Sequence, residues 1–146
     1  MAKVGRASRN ASLKRVETND GTANKTITLA ESGEVYIITT APGAARTWTL
    51  PSAKEGGYFK LIFGVASDAH EVILKTAAAG ELLKGALLFQ TSGAQTADDV
   101  QADGTDDVQV SIHDDVEPGS WVEVVSDGSH WYITGVIMAT ATPVFA

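Results

Sequence analysis

The stretch that decides the fold is Gly119-Ser-Trp-Val-Glu-Val-Val-Ser-Asp-Gly-Ser-His-Trp-Tyr-Ile-Thr-Gly135. Two runs of alternating residues, 121–125 and 131–137, flank a short polar connection. The Asp127-Gly128 pair in that connection supplies the positive backbone torsions that a tight reversal needs. The sequence therefore predicts a β-hairpin close to the C-terminal end.

The two faces of the first predicted strand differ in character. Because strand side chains alternate, Trp121, Glu123 and Val125 should share one face, and Val122 and Val124 the other. Neither face carries a residue type with an evident catalytic role.

The rest of the chain repeats this pattern of short strands. From Lys25 onward, runs rich in Val, Ile, Thr and aromatic residues alternate with Gly, Pro, Asp and Ser at intervals of about ten residues, which is typical of a sandwich or barrel. We predict an all-β fold, a small antiparallel β-sandwich or barrel-like domain over residues 25–138. The predicted strands lie near 25–30, 34–40, 45–50, 57–65, 70–76, 82–90, 107–113, 120–126 and 130–138.

Length and composition limit the possible functions. A chain of 146 residues fits one domain that buries about 70% of its unfolded surface. It has no cysteine, which excludes disulfides, thiolate metal ligands and thiol catalysis. The basic start lacks the apolar stretch of a signal peptide, and no apolar run reaches about 18 residues. We expect neither classical export nor membrane insertion.

Charge divides the chain into a basic arm and an acidic body. The net charge is −7, yet residues 1–25 hold six basic residues against two acidic ones. The arm, residues 1–24, has too few apolar residues to fold alone, so we predict extended coil. Residues 139–146 are predicted to form a C-terminal tail, in which Pro143 excludes an interior β-ladder.

An acidic set is the strongest candidate for cation binding, because clustered carboxylates suit hard cations such as calcium. Its spacing does not match the twelve-residue calcium loop. We interpret the acidic set within residues 98–117 as a solvated acidic loop, with a bound divalent ion as the alternative, and predict no metal site; residues 91–107 are predicted to form a long loop between strands. The acidic residues are Asp98, Asp99, Asp103, Asp106, Asp107, Asp114, Asp115 and Glu117.

The three histidines, His70, His113 and His130, each fall at a predicted strand end without a spacing that pairs two imidazoles. Any site built on them needs partners that only the fold can bring together. Near His130, Ser126, Asp127 and Ser129 are neighbours in a turn and point in diverging directions, which does not favour a catalytic triad. We therefore predict no catalytic residue, no cofactor and no enzymatic activity.

The strand sequences resemble those of a known family. The hairpin 119–135, with the earlier segments Thr26-Ile-Thr-Leu29, Gly33-Glu-Val-Tyr-Ile-Ile38, Thr47-Trp-Thr-Leu-Pro51 and Gly57-Tyr-Phe-Lys-Leu-Ile-Phe63, is similar to small β-rich structural proteins of tailed bacteriophages. Together they resemble a capsid decoration, or cement, protein over about residues 26–135.

This resemblance implies a virion protein on the outer capsid surface, which forms a homotrimer and stabilises the shell. Its partner would be the major capsid protein, with no role for nucleic acid or membrane. The arm would supply the capsid contacts, through Lys3, Arg6, Arg9, Lys14 and Arg15. Weaker candidates for the oligomer interface are Trp121, Trp131, Tyr132, Val144 and Phe145.

An alternative function is a receptor- or carbohydrate-binding module of a phage tail fibre or spike. Such a module could use the loop 91–107 or a platform of aromatic rings that stack on sugars. In a small β-domain, aromatic residues at alternating positions more often belong to a core or an interface. The sequence also lacks the repeats of a fibre shaft. The aromatic candidates are Trp48, Tyr58, Trp121, Trp131 and Tyr132.

Overall fold

The computed structural model describes residues 15–19, 21–67, 69–94 and 96–146. Regular structure in these ranges consists of twelve β-strands and one short 3-10 helix, Leu29–Glu31. No helix of the described ranges has the length and apolar composition to cross a membrane. The strands are β1 (Arg15–Asn19), β2 (Lys25–Thr26), β3 (Glu34–Ile38), β4 (Arg46–Thr49), β5 (Tyr58–Phe63), β6 (Val72–Lys75), β7 (Leu83–Thr91), β8 (Ala97–Gln101), β9 (Gln109–Ile112), β10 (Trp121–Ser126), β11 (Trp131–Ala139) and β12 (Val144–Phe145).

The strands form two sheets. The seven-stranded sheet has the order β1-β3-β5-β10-β11-β7-β8, and the five-stranded sheet has the order β12-β9-β6-β4-β2. One hydrophobic core contains residues from both sheets, among them Tyr36, Phe63 and Trp131 from the larger sheet and Trp48 and Ile112 from the smaller. The predicted all-β sandwich is confirmed.

The C-terminal hairpin also forms as predicted. β10 and β11 pair antiparallel, with Ser126 opposite Trp131 at the turn. Gly128 has a φ of 96°, which is the positive torsion expected of it. Val122 and Val124 are buried, so the predicted alternation holds.

The prediction of purely antiparallel sheets is wrong in the first half of the chain. From β1 to β6 the chain alternates between the two sheets, so that β1, β3 and β5 run parallel in one and β2, β4 and β6 run parallel in the other. Each excursion to the opposite sheet returns the chain to the end where it started, which is the crossover that parallel pairing requires. β7 also pairs parallel with β11.

Three strands lie where we predicted irregular chain. β1 lies within the predicted coil of the arm, β8 within the predicted loop 91–107, and β12 within the predicted tail. Each is the outermost strand of its sheet in the described ranges. The position of β12, directly after Pro143, agrees with the exclusion of proline from an interior ladder.

Candidate protein-binding surfaces

Apolar side chains form a continuous row on the outer face of the seven-stranded sheet. The strand register places one of them on each of the five central strands β3, β5, β10, β11 and β7, side by side. Four are half-buried, and Leu88 is 48% exposed. We call this set the apolar row: Ile37, Ile62, Trp121, Val136 and Leu88.

Two charged groups in the row adjacent to the apolar row are paired with each other. Lys60 lies beside Glu123 in the adjacent row of the sheet, with their Nζ and Oε2 atoms 3.6 Å apart. The same ammonium lies 3.8 Å from the centroid of the Trp121 ring. The face therefore carries one compensated ion pair and no net charge from these two groups.

The tyrosines of this face also have hydrogen-bond partners. The Tyr58 hydroxyl donates to Glu123 Oε2 at 3.2 Å, and the Tyr132 hydroxyl donates to Asp127 Oδ2 at 3.1 Å. Burial, followed by the Glu123 carboxylate, raises the pKa of Tyr58, and the hydrogen bond to Asp127 raises that of Tyr132. If a partner covered this face, the hydroxyl groups of Tyr58 and Tyr132 would therefore keep their hydrogen bonds.

The outer face of the five-stranded sheet is more polar. One row across it holds Thr47, Ile73, Ser111 and Val144, and the next holds Thr26, Thr49, Lys75 and Gln109. An uninterrupted apolar row is therefore a property of the larger sheet, which favours that sheet as the contact surface.

The structure separates the five predicted interface residues. Trp121 and Tyr132 lie on the outer face of the larger sheet, as an interface requires. Trp131 is completely buried in the core, which leaves its ring no surface to offer a second subunit, so this prediction is wrong. Val144 is exposed on the opposite sheet, and Phe145 packs against the core. These residues do not form one patch.

The five aromatic residues considered for the alternative sugar-binding platform do not all lie on one surface. Trp48 and Trp131 are both fully buried, and Trp48 packs edge-on against Tyr36 with ring centroids 5.4 Å apart. Of the aromatic candidates on the outer face, Tyr132 is the most exposed, at 46%.

Most of the predicted capsid-binding residues lie outside the described residues: Lys3, Arg6, Arg9 and Lys14. Arg15 is the first residue of β1. β1, which belongs to the arm, therefore lies at the edge of the seven-stranded sheet, next to β3.

Lys25 attaches this edge strand to the body. Its Nζ lies 3.0 Å from Glu17 Oε1 on β1 and 3.1 Å from Glu31 Oε1 in the 3-10 helix. Burial lowers the pKa of Lys25, but the hydrogen bonds to the two carboxylates outweigh it and raise the pKa above its usual value. These carboxylates and that of Glu34 lie within 4.8 Å of one another, and Lys25 is the cation beside them.

The acidic set of residues 98–117 is dispersed. Asp98 and Asp99 are exposed on β8, whereas the carboxylates of Asp103, Asp106 and Asp107 lie within 4.8 Å of one another. Asp107 is buried and accepts the amide N–H of Asp103. Hydrogen bonds from Thr105 lower the pKa of Asp103. These bonds fix the loop between β8 and β9.

The turn residues near His130 have structural roles. Asp127 Oδ1 accepts the amide N–H groups of Ser129 and His130, at 2.7 and 2.8 Å, and Ser126 Oγ accepts that of Gly128 at 3.0 Å. His130 Nδ1 accepts the Leu82 N–H at 3.2 Å. Since each group stabilises backbone, these contacts do not form a triad.

The other two histidines meet at one cavity. His70 precedes β6 and His113 follows β9, and both line an open cavity of about 340 Å³ with Glu71 and Asp114. The sequence places each at a strand end but does not show that the two ends are adjacent.

Comparison with known proteins finds no matching family model, no matching curated protein and no matching solved structure.

Proposed function

We propose that this chain is a non-enzymatic decoration protein that binds the outer surface of a phage capsid and stabilises the shell. The observation that carries the proposal is the apolar row, together with the resemblance of the strand sequences to decoration proteins. An apolar row across five strands suits a contact with protein.

The arm would provide the contacts with the capsid. The arm, which continues from β1, would lie across major capsid subunits through Lys3, Arg6, Arg9, Lys14 and Arg15. Basic groups spaced along a chain suit an acidic protein surface, and their attraction weakens as salt rises.

A second copy of this chain is the occupant that we propose for the apolar row. Two copies that each carry a net charge of −7 repel at a distance, so they need a contact where like charges do not meet. The pairing of Lys60 with Glu123 neutralises these two groups beside the centre of the row. In a homotrimer the contact is heterologous, so the row would pack on a different surface of the neighbouring copy.

Assembly would strengthen binding to the capsid. Each arm loses conformational entropy when it binds, so a single arm gives modest net affinity. A trimer presents three arms, and the first one bound raises the effective concentration of the others. Separation of adjacent capsid subunits would then break several contacts at once.

The alternative function, a receptor- or carbohydrate-binding module, is favoured by one observation. Trp121 and Tyr132 lie on the same outer face, where aromatic rings could stack on sugars. Binding of the purified protein to a glycan array, lost on Tyr132→Ala, would support this alternative over decoration.

Co-sedimentation with undecorated phage capsids tests the proposal. The full chain should bind at low salt and less at moderate salt, and K3Q/R6Q/R9Q should bind much more weakly. The matched control, K54Q/K75Q/K84Q, removes the same charge from the body and should bind like the wild type. If both triple variants bound capsids as strongly as the wild type, the arm would be excluded as the anchor. Absence of binding by the wild type would exclude capsid decoration.

A further inference from the structure

The cavity between the start of β6 and the end of β9 brings together four side chains that can bind a metal ion. β6 and β9 pair antiparallel, with Val72 opposite Ile112 at the end of the ladder. The residues just before Val72 and just after Ile112 therefore lie side by side. The four side chains at the cavity are His70, Glu71, His113 and Asp114.

Beyond the cavity, a second contact joins the segment that carries His70 to the segment that carries His113. Ser67 forms an isolated antiparallel bridge with Val116, in which the Ser67 N–H donates to Val116 O at 3.1 Å. The Asp115 N–H donates to Ser67 O at 2.7 Å, and Ser67 Oγ accepts the Val116 N–H at 3.2 Å. The histidines are therefore carried on two short segments that are held at both ends.

Both segments contain strained backbone. Ala69 has a φ of 71° and Asp115 a φ of 61°, and these are the two non-glycine residues with positive φ among those the structure describes. One lies next to His70 and the other next to Asp114. Residues other than glycine adopt this conformation at an energetic cost, and such strain clusters at functional sites.

In the part of the chain that the structure describes, the imidazoles of His70 and His113 form no hydrogen bond that stabilises the fold. His130 binds the Leu82 amide, whereas the described residues provide no hydrogen bond or ion pair to either of the other two rings. Both rings are half-buried at an open cavity, so a ligand can reach them.

We propose that His70 and His113 bind a late first-row divalent cation, with Glu71 and Asp114 as the carboxylate ligands. Two imidazoles with carboxylates form the ligand set that zinc and its neighbours prefer, whereas calcium and magnesium prefer oxygen alone. The structure does not bring the ligand atoms of any three of these side chains within 4.8 Å of one another, so the side chains would have to rotate into the cavity to bind the ion. The ion would join the segments before β6 and after β9.

Calorimetric titration of the full chain with zinc chloride at neutral pH tests this site. The wild type should bind one Zn²⁺ per chain, and the double variant H70N/H113N should bind at least about tenfold more weakly. The matched control is His130→Asn, which should keep the wild-type affinity. Absence of zinc binding by the wild type, or equal affinity in the double variant, would overturn the proposal.

A measurement on the wild type alone makes the test independent of how the variants fold. In NMR spectra of the imidazole groups, zinc should shift the signals of His70 and His113 and leave that of His130 in place. Saturable binding that shifts none of the histidine signals would assign the ion to a carboxylate cluster and refute the site. Neither measurement involves capsids, so the metal site is tested independently of the decoration proposal.

Discussion

The ammonium group of Lys60 lies 3.8 Å above the ring of Trp121 and, at 3.6 Å, beside the carboxylate of Glu123. One lysine thus neutralises Glu123 on the outer face and covers part of the Trp121 ring. A contact of this kind at a partly exposed site contributes about 0.5–1 kcal/mol. Its main consequence is that a protein surface that covers Trp121 meets a paired charge, and not a free one, in the adjacent row of the sheet.

A single new charge at the end of the apolar row should prevent self-association. In Leu88→Asp, a carboxylate replaces an exposed leucine that lies opposite Asp99 on β8. Docking would then bury that charge, while the isolated subunit keeps it in water. We expect light scattering after size exclusion to show a monomer, with a melting temperature somewhat below that of the wild type because the new carboxylate lies opposite Asp99.

The matched control for this change is Val144→Asp on the opposite sheet. Val144 is 49% exposed and Leu88 is 48% exposed, so the two substitutions alter similar amounts of apolar surface. Val144→Asp should keep the wild-type oligomeric state. Dissociation by Val144→Asp alone would place the interface at the C-terminal strand and refute the role of the apolar row.

Local signals in the sequence were sufficient for the hairpin. The Asp127-Gly128 pair and the alternation on both sides of it specify β10 and β11, because a tight turn depends only on neighbouring residues. β1 and β8 were missed since both are polar edge strands, and the sequence of β8 includes Asp98 and Asp99, which have low strand propensity. Their pairing depends on distant strands.

The candidate sites depend on register, which no local pattern shows. Ile37, Ile62 and Leu88 come into one row with Trp121 only because parallel and antiparallel strands align across the sheet. His70 and His113 meet because β6 pairs with β9. Trp131 was misassigned to an interface because an alternating aromatic residue can point inward or outward, and the sequence alone does not say which.

Gly135 should be essential for the packing of the central strands. A Cβ atom at this position would lie 2.3 Å from the carbonyl oxygen of Trp121, which belongs to the backbone of β10 and cannot turn aside. Gly135→Ala should lower the free energy of unfolding by about 2–3 kcal/mol. Urea denaturation measures this change.

Gly80→Ala is the control for this glycine. A Cβ atom at Gly80 would meet nothing within 4 Å, and the residue lies in a turn before β7. The free energy of unfolding of the Gly80→Ala variant should lie within about 1 kcal/mol of the wild-type value, and we expect it to be slightly higher. If Gly135→Ala and Gly80→Ala lowered the free energy of unfolding equally, the close approach of β10 and β11 would not be the cause of the destabilisation.

The carboxylate of Glu31 should make stability depend on acid pH. Burial raises its pKa, but hydrogen bonds from the hydroxyl and amide groups of Thr28, at 2.7 and 2.6 Å, and from Lys25 outweigh it, and the pKa falls from 4.5 to about 2. A carboxylate whose pKa is lower in the folded state stabilises the fold above its unfolded pKa. That stability should decrease as the pH falls from 4.5 through 2.

Glu31→Gln tests this dependence. The variant should be less stable than the wild type at neutral pH, and the difference should shrink as the pH falls from 4.5 towards 2, since the wild type then loses the same contribution. Asp103 and Asp127, whose pKa values are also lowered, add to the pH dependence of both proteins and cancel in the comparison. The control is Glu55→Gln, at an exposed position, which should follow the wild-type curve. A difference between Glu31→Gln and the wild type that stayed constant down to pH 2 would mean that the Glu31 contacts do not depend on its charge.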